Sequence, residues 1–267
     1  MLVEHVSFSA CGASLEGRLF RPGANATAER AIVLLHEGLG CVAMWRDFPK
    51  RLAVQTGRTV LAYSRAGYGA SDPVPLPRPL TYMHHEGQRV LGAVLEEAGV
   101  HEAVLVGHSD GGSIALVHAA DADPAGRVRG MLLLAPHVFC EDISVRAITE
   151  AKDAYEHGDL RARLLRYHGD NVDVAFWGWN GAWLDPGFRA WDLTPLLPRV
   201  RADVVVMQGD ADPYGTLAQV DAIERGLGPS SSFRRVVLEG VGHAPWRERE
   251  PETLAEIAVL CERCLPR

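Results

Sequence analysis

Ser109 stands in the run Val104-Leu105-Val106-Gly107-His108-Ser109-Asp110-Gly111-Gly112, with a glycine two residues away on either side. The residues before it are apolar, as in a buried strand, and Ile114, Ala115, Leu116 and Val117 after it begin a helical run. A strand that turns sharply into a helix lifts the hydroxyl at the turn into the open, and the glycines let neighbouring backbone pass close to it. The helix that starts there points backbone N–H groups at the same spot. A serine is a weak nucleophile at its free pKa, so this chemistry needs a base to remove its proton.

Two later strand-end segments supply partners. Val204-Val205-Val206-Met207-Gln208-Gly209 reads as a buried strand and runs into Asp210-Ala211-Asp212-Pro213. Val236-Val237-Leu238 reads as another and is followed by Glu239-Gly240-Val241-Gly242-His243. The chain order is therefore serine, aspartate, histidine, each just past a strand end, an arrangement suited to acyl transfer.

On these residues the chain resembles the α/β-hydrolase superfamily, in its lid-bearing group of carboxylesterases and ring-cleavage-product hydrolases, and the resemblance spans essentially the whole chain. It implies Ser109 as nucleophile, Asp212 as orienting acid and His243 as general base. Asp212 is preferred over Asp210 because the family's G-x-x-D pattern falls on Gly209 and Asp212. The oxyanion hole would use the backbone N–H of Asp110 and one from the loop His36-Glu37-Gly38-Leu39-Gly40, by position Gly38, with Leu39 as the alternative. That loop departs from the family's usual His-Gly pair by carrying Glu37. Glu37 is either a surface carboxylate or a group whose charge bears on His243, and a structural role beside the site is preferred.

Other readings of these residues are weaker. An aspartate nucleophile at Asp110 would put His108 where a small residue is required, so the register selects Ser109. His36 and His108 are expected to be packed, with the His108 side chain turned back into the fold. His84 and His85 lack ligand partners at helical spacing, and no metal site is expected. Cys261 and Cys264 form a C-x-x-C without a second pair, and with five cysteines in all no disulfide framework is read.

The elements that must position these residues follow from periodicity. Val3–Ser9 and Leu15–Arg21 read as an antiparallel hairpin. Strand-like runs at 31–36, 59–63, 103–106, 128–135, 204–209 and 233–238 alternate with helices near 45–56, 82–98, 111–120, 217–225 and 252–264. Apolar strands separated by helices describe an α/β fold, a mostly parallel eight-stranded sheet with helices on both faces. A Pro-rich loop covers 72–79. Residues 138–198 interrupt the rhythm and read as a helical lid inserted into a core of 1–137 and 199–267. The rings Phe176, Trp177, Trp179, Trp183 and Trp191 cluster in this insertion; half are expected in its core and the rest, Phe176, Trp177 and Trp183 among them, around an apolar pocket with His137 and Leu39.

The 267 residues fit one large domain, with 47% hydrophobic and 23% charged residues and a formal net charge of -7. The acidic groups are dispersed among arginines, which excludes a basic nucleic-acid-binding face. Apolar runs such as 31–35 and 131–135 are far too short to span a membrane. The N-terminal residues lack a signal-peptide pattern, and a cytoplasmic location is expected. The expected partners are a small-molecule substrate and at most further copies of the chain, with no cofactor. The expected reaction is cleavage of a small or medium apolar carboxylic ester; the alternatives are carbon–carbon hydrolysis of a ring-cleavage product, or lactone or amide hydrolysis. Ring-cleavage hydrolases usually carry Asn and Met around the nucleophile, where this chain has His108 and Asp110, which favours the ester. A binding protein that kept the fold without activity is disfavoured because all three triad residues stand in place.

Overall fold

The computed structural model describes residues 1–266. β1 (Leu2–Ala10) and β2 (Ala13–Arg21) form the antiparallel hairpin, turning through Cys11 and Gly12, both at positive φ. They are followed by β3 (Arg30–Leu35), β4 (Thr59–Tyr63), β5 (Glu102–His108), β6 (Val128–Leu134), β7 (Asp203–Gly209) and β8 (Phe233–Leu238). The eight strands lie in the order β1-β2-β4-β3-β5-β6-β7-β8, and every pairing from β4 to β8 is parallel.

The central strands are apolar without alternation because helices cover both faces. Val33, Leu105, Leu133 and Val206 point to one side, where they meet the helices α2 (Tyr82–His85), α3 (Leu91–Glu97), α4 (Asp110–Asp121) and α8 (Leu217–Gly226). Ile32, Leu34, Val104, Val106, Leu132 and Met207 point to the other side, against α1 (Phe48–Thr56) and α10 (Glu250–Cys264). Between these last two, α9 (Pro245–Glu248) brings Trp246 into the second cluster. The chain order reverses where β3 lies between β4 and β5, and the crevice at the carboxyl ends of strands at such a switch point is where open α/β sheets bind ligands.

Two helices differ from the periodicity reading. The segment expected as a helix from 45 to 56 is a 3-10 turn over Val42–Trp45, a break with Arg46 at φ 53°, and then α1. Pro49 explains the restart, since a proline fits a helix only within its first turn. The helix expected from 82 to 98 widens into a π-turn over Glu86–Val90 between α2 and α3. There a Cβ on Gly87 would lie 2.8 Å from the Ile114 carbonyl oxygen, so the wide turn runs directly against α4.

Between β6 and β7 the chain builds α5 (Asp142–Glu156), α6 (Leu160–His168) and α7 (Val172–Leu184), then two 3-10 stretches, Pro186–Ala190 and Thr194–Arg199. This insertion leaves from the carboxyl end of β6, and its last 3-10 stretch carries the chain back to the amino end of the parallel strand β7. The bridge between Phe139 and Asp192 ties its start to the segment just before the Thr194–Arg199 stretch.

Candidate active site

Ser109 occupies the turn between β5 and α4 with φ 52° and ψ -119°, a strained conformation for a residue with a side chain. Neighbouring backbone enforces it. The Ser109 N–H donates to the Leu134 carbonyl at 2.8 Å, and the Ser109 carbonyl accepts from Gly112 N–H at 2.8 Å. Only glycine fits on either side: a Cβ at Gly107 would sit 2.4 Å from the Gly111 oxygen, and one at Gly111 would sit 2.1 Å from the Leu35 oxygen. The two glycines thus let β5, α4 and the end of β3 close on one another.

β7 ends at Gly209 and delivers Asp212; the loop after β8 delivers His243. His243 Nδ1 lies 2.9 and 2.8 Å from the two Asp212 carboxylate oxygens. Asp212 also accepts from the Tyr214 backbone N–H and from Gln208 Nε2, each at 2.8 Å, so its orientation is fixed from three sides. Burial alone would raise the Asp212 carboxyl, but the hydrogen bond and charge of His243 outweigh it and hold the group below the usual carboxylate range. Asp210 faces elsewhere, accepting from the Gly240 N–H at 2.7 Å. The Tyr214 ring lies 4.6 Å from the His243 ring.

The loop after β3 is held by Arg65, a buried guanidinium. Arg65 Nη1 donates to the His36 carbonyl at 2.6 Å and Nη2 to the Glu37 carbonyl at 2.9 Å. His36 Nδ1 donates to the same Glu37 carbonyl at 2.7 Å, and its Nε2 accepts from the Arg65 backbone N–H at 3.1 Å. His36 is therefore packed and neutral; burial, then the Arg65 charge, push its pKa well down. In a trans peptide the N–H points opposite the C=O. With the Glu37 carbonyl held by Arg65, the Gly38 N–H points away from it. The Leu39 carbonyl accepts from His168 Nε2 at 3.0 Å, tying this loop to α6.

Glu37, which the sequence left between surface and site, has a largely covered side chain with Oε2 3.4 Å from His108 Nδ1. His108 is buried as expected, and its Nε2 donates to the backbone carbonyl of His243 at 2.6 Å. Asp110 is fully buried, and burial raises its carboxyl above the usual range although the Arg65 charge opposes this. Its Oδ2 accepts from the Tyr82 hydroxyl at 2.5 Å, and that hydroxyl in turn accepts from Trp183 Nε1 at 3.1 Å. The insertion is thereby hydrogen-bonded to the residue that follows Ser109.

His137 is buried, its ring 5.8 Å from His243 and 5.1 Å from Trp183, so both sequence-predicted residues stand at the site. Phe176 and Trp177 do not. Phe176 stacks on Tyr155 at 3.6 Å, and Trp177 packs edge-on against the same two rings with the Lys152 ammonium 5.9 Å from its centre. Both rings hold the insertion together instead of lining a pocket. The ring that reaches the site in their place is Trp179, whose indole Nε1 lies 2.2 Å from where a Cβ on Gly38 would be. The signal for it was the i, i+4 spacing of Trp179 and Trp183, which puts both on one face of α7 and turns Trp177 away. Tyr82 and Tyr214 carried no comparable pattern.

The catalytic-type residues are covered: Ser109 and Asp212 are each 6% exposed. Comparisons agree with this architecture. The sequence profile of the Alpha/beta hydrolase family matches residues 32–257, from β3 through α10. A proline iminopeptidase of Lactobacillus delbrueckii subsp. lactis is 30% identical over 108 residues, 40% of this chain and 36% of that protein, so the chain spans about a third of the length of that relative. A 2-hydroxy-6-oxo-6-phenylhexa-2,4-dienoate hydrolase of Comamonas testosteroni is 22% identical over 260 residues, 87% of this chain and 88% of that protein. Among solved structures, an esterase from Exiguobacterium antarcticum superposes with a TM-score of 0.73 at 20% identity, over 96% of this chain and 100% of the other. With the profile covering most of its length, on a sheet of this strand order and with this strained strand-to-helix turn, the chain belongs to the Alpha/beta hydrolase family.

Proposed function

We propose that the protein is a serine hydrolase that cleaves a carboxylic ester of a small or medium apolar substrate through an acyl-enzyme on Ser109. The observation that carries this reading is the Asp212–His243 pair, 2.8 Å apart, at the sheet edge where Ser109 sits on its strained turn. His243 takes the Ser109 proton as the hydroxyl attacks the carbonyl carbon, then gives it to the departing alcohol. Asp212 holds the imidazole with its proton on Nδ1 and stabilises the imidazolium. Water attacks the acyl-enzyme in the second half, with His243 again as base.

The negative oxygen that forms on the carbonyl is received by the backbone N–H groups of Asp110 and Gly38. Two features support this pair: Asp110 begins α4, and Arg65 holds the Glu37 carbonyl so that the Gly38 N–H faces away from it. Residues 138–198 act as a lid, with Trp179 over Gly38 and Trp183 bonded to Tyr82 as its inner surface. Lid, Leu39 and His137 then bound a largely apolar pocket, to which a cofactor is unnecessary.

The long match to a dienoate hydrolase supports carbon–carbon cleavage as a second reading, which uses the same three residues. A panel of p-nitrophenyl esters, lactones, prolyl amides and a ring-cleavage dienoate, assayed with native protein and Ser109→Ala, separates them. The ester reading expects the largest kcat/KM on short-chain esters and none with Ser109→Ala. Turnover of the dienoate alone would replace it with the second reading, and ester turnover by Ser109→Ala at the native rate would end both.

A further inference from the structure

Glu37 is the feature of the site that its chemistry does not absorb. A carboxylate in the loop that supplies an oxyanion donor repels the negative charge that develops there, and the repulsion grows with the low dielectric of a covered site. The carboxylate does not point into solvent: it curls back over its own loop, so that a Cβ at Gly40 would lie 2.5 Å from Oε2, and it reaches His108. His108 immediately precedes Ser109 and reaches the other way, to the carbonyl of His243. One imidazole thus joins the oxyanion loop, the serine turn and the loop of the base.

Resting on the serine-hydrolase reading, we propose that Glu37 and His108 are positioning residues of this site, a largely covered ion pair in which the His108 imidazolium pins the His243 backbone and cancels the Glu37 charge beside the oxyanion donors.

Two groups converge on His108 Nδ1, and the Glu37 carboxylate is the one that suits a charged imidazole. With Nε2–H committed to the His243 carbonyl, a neutral His108 would turn a bare Nδ1 lone pair towards the carboxylate 3.4 Å away. The competing donor is the Trp246 indole N–H, 3.3 Å from the same nitrogen, which fits the neutral form. Burial works against charge on His108, but the hydrogen bond and charge of Glu37 override it and raise the imidazole above the usual histidine range. Burial likewise would raise Glu37, and the bond and charge of His108 bring it down to about 2. The other groups facing the pair are Asp212 from the end of β7, His137 and His243 from the neighbouring strand ends, His36 and Arg65 around the loop, and His168 from α6. Of these His36, His137 and His168 all have lowered pKa values, burial being the first cause in each, so none of them competes as the counter-ion.

The proposal separates from a purely packing role in a double-substitution cycle. The readout is the second-order rate of Ser109 acylation by a p-nitrophenyl ester and of its labelling by a fluorophosphonate. His108→Gln keeps a donor for the His243 carbonyl but cannot carry charge, leaving Glu37 uncompensated; a loss on the order of 10- to 100-fold is expected. Adding Glu37→Gln to it should recover most of that loss, because the repelling charge is gone, whereas losses that simply multiply would overturn the proposal. Should His108→Gln fail to fold, the native protein and Glu37→Gln decide. The native rate should fall on the alkaline side as His108 loses its proton, and Glu37→Gln should move that fall to lower pH or remove it; an alkaline limb that Glu37→Gln leaves unchanged contradicts the ion pair. Absence of labelling in every variant including the native protein would instead refute the serine-hydrolase reading itself.

Discussion

Gly111→Ala tests whether the close approach of backbone behind Ser109 positions the site. The new Cβ would meet the Leu35 carbonyl oxygen at 2.1 Å, the Leu35 carbonyl carbon at 2.6 Å and the His36 oxygen at 2.8 Å, all of them backbone. Cβ contacts essentially never fall below 3.0 Å, so the nearest one requires a separation of at least 0.9 Å between the start of α4 and the end of β3. No flexible side chain can absorb this. Asp110 N–H belongs to α4 and Gly38 N–H to the loop after β3, so the two donors move apart by nearly an ångström. A misplacement of about 1 Å costs on the order of 100-fold in rate, and overpacking of this kind costs about 1–3 kcal/mol of stability. The rate of Ser109 phosphonylation by a fluorophosphonate, followed by stopped-flow, and urea unfolding measure the two effects separately. Gly181→Ala serves as the control, since nothing lies within 4 Å of its Cβ and it lies within α7; it should keep the native rate and gain up to about 1 kcal/mol. A folded Gly111→Ala protein that is phosphonylated at the native rate would show that the donors are not where the backbone puts them.

Other substitutions probe the remaining parts. Asp212→Asn keeps the shape of the side chain but can present its amide N–H to His243 Nδ1, favouring the wrong tautomer; kcat/KM on an activated ester should fall by about 10⁴, and a loss under tenfold would remove Asp212 from the mechanism. His137 is pushed down to about 3, first by burial and then by the neighbouring His243, so the unfolded chain takes up a proton there before the folded one does. The stability it contributes is complete above pH 6.5 and is lost as pH falls towards 3, so between pH 6.5 and 4.5 His137→Asn should lose about 2–3 kcal/mol less than the native protein in urea unfolding. Equal slopes would place His137 in contact with solvent. Glu86→Gln leaves the guanidinium of Arg78, 3.4 Å away and buried with it, without its counter-charge; a loss of about 3–5 kcal/mol in the same assay is expected, and a loss below 1 kcal/mol would show that Tyr68 and the Ala66 carbonyl satisfy Arg78 alone.

Much of this arrangement was legible in the chain because it rests on local rules. The glycines around Ser109, the continuous apolar runs of β3 to β7 and the proline-marked loop before α2 each announce a backbone requirement that no distant residue can change. The α7 surface was harder. Four of its thirteen residues are aromatic, and assigning them by identity put Trp177 at the pocket although helical phase turns it from the face of Trp179 and Trp183; Phe176 shares that face and is taken up by its stack on Tyr155. The π-turn at Glu86–Val90 depends on how closely α4 approaches, which periodicity does not encode, whereas the break at Arg46 carried a local mark in Pro49. Least legible was the partnership of Glu37 with His108. The two lie 71 positions apart, and neither residue type marks a covered ion pair until the sheet brings the ends of β3 and β5 together.

Intact-mass spectrometry of the fluorophosphonate-treated protein, with peptide mapping of the adduct, tests the central claim most directly. One adduct per chain, carried on Ser109 and absent from Ser109→Ala, is the predicted result. An unmodified native protein, or an equal adduct on Ser109→Ala, would contradict it.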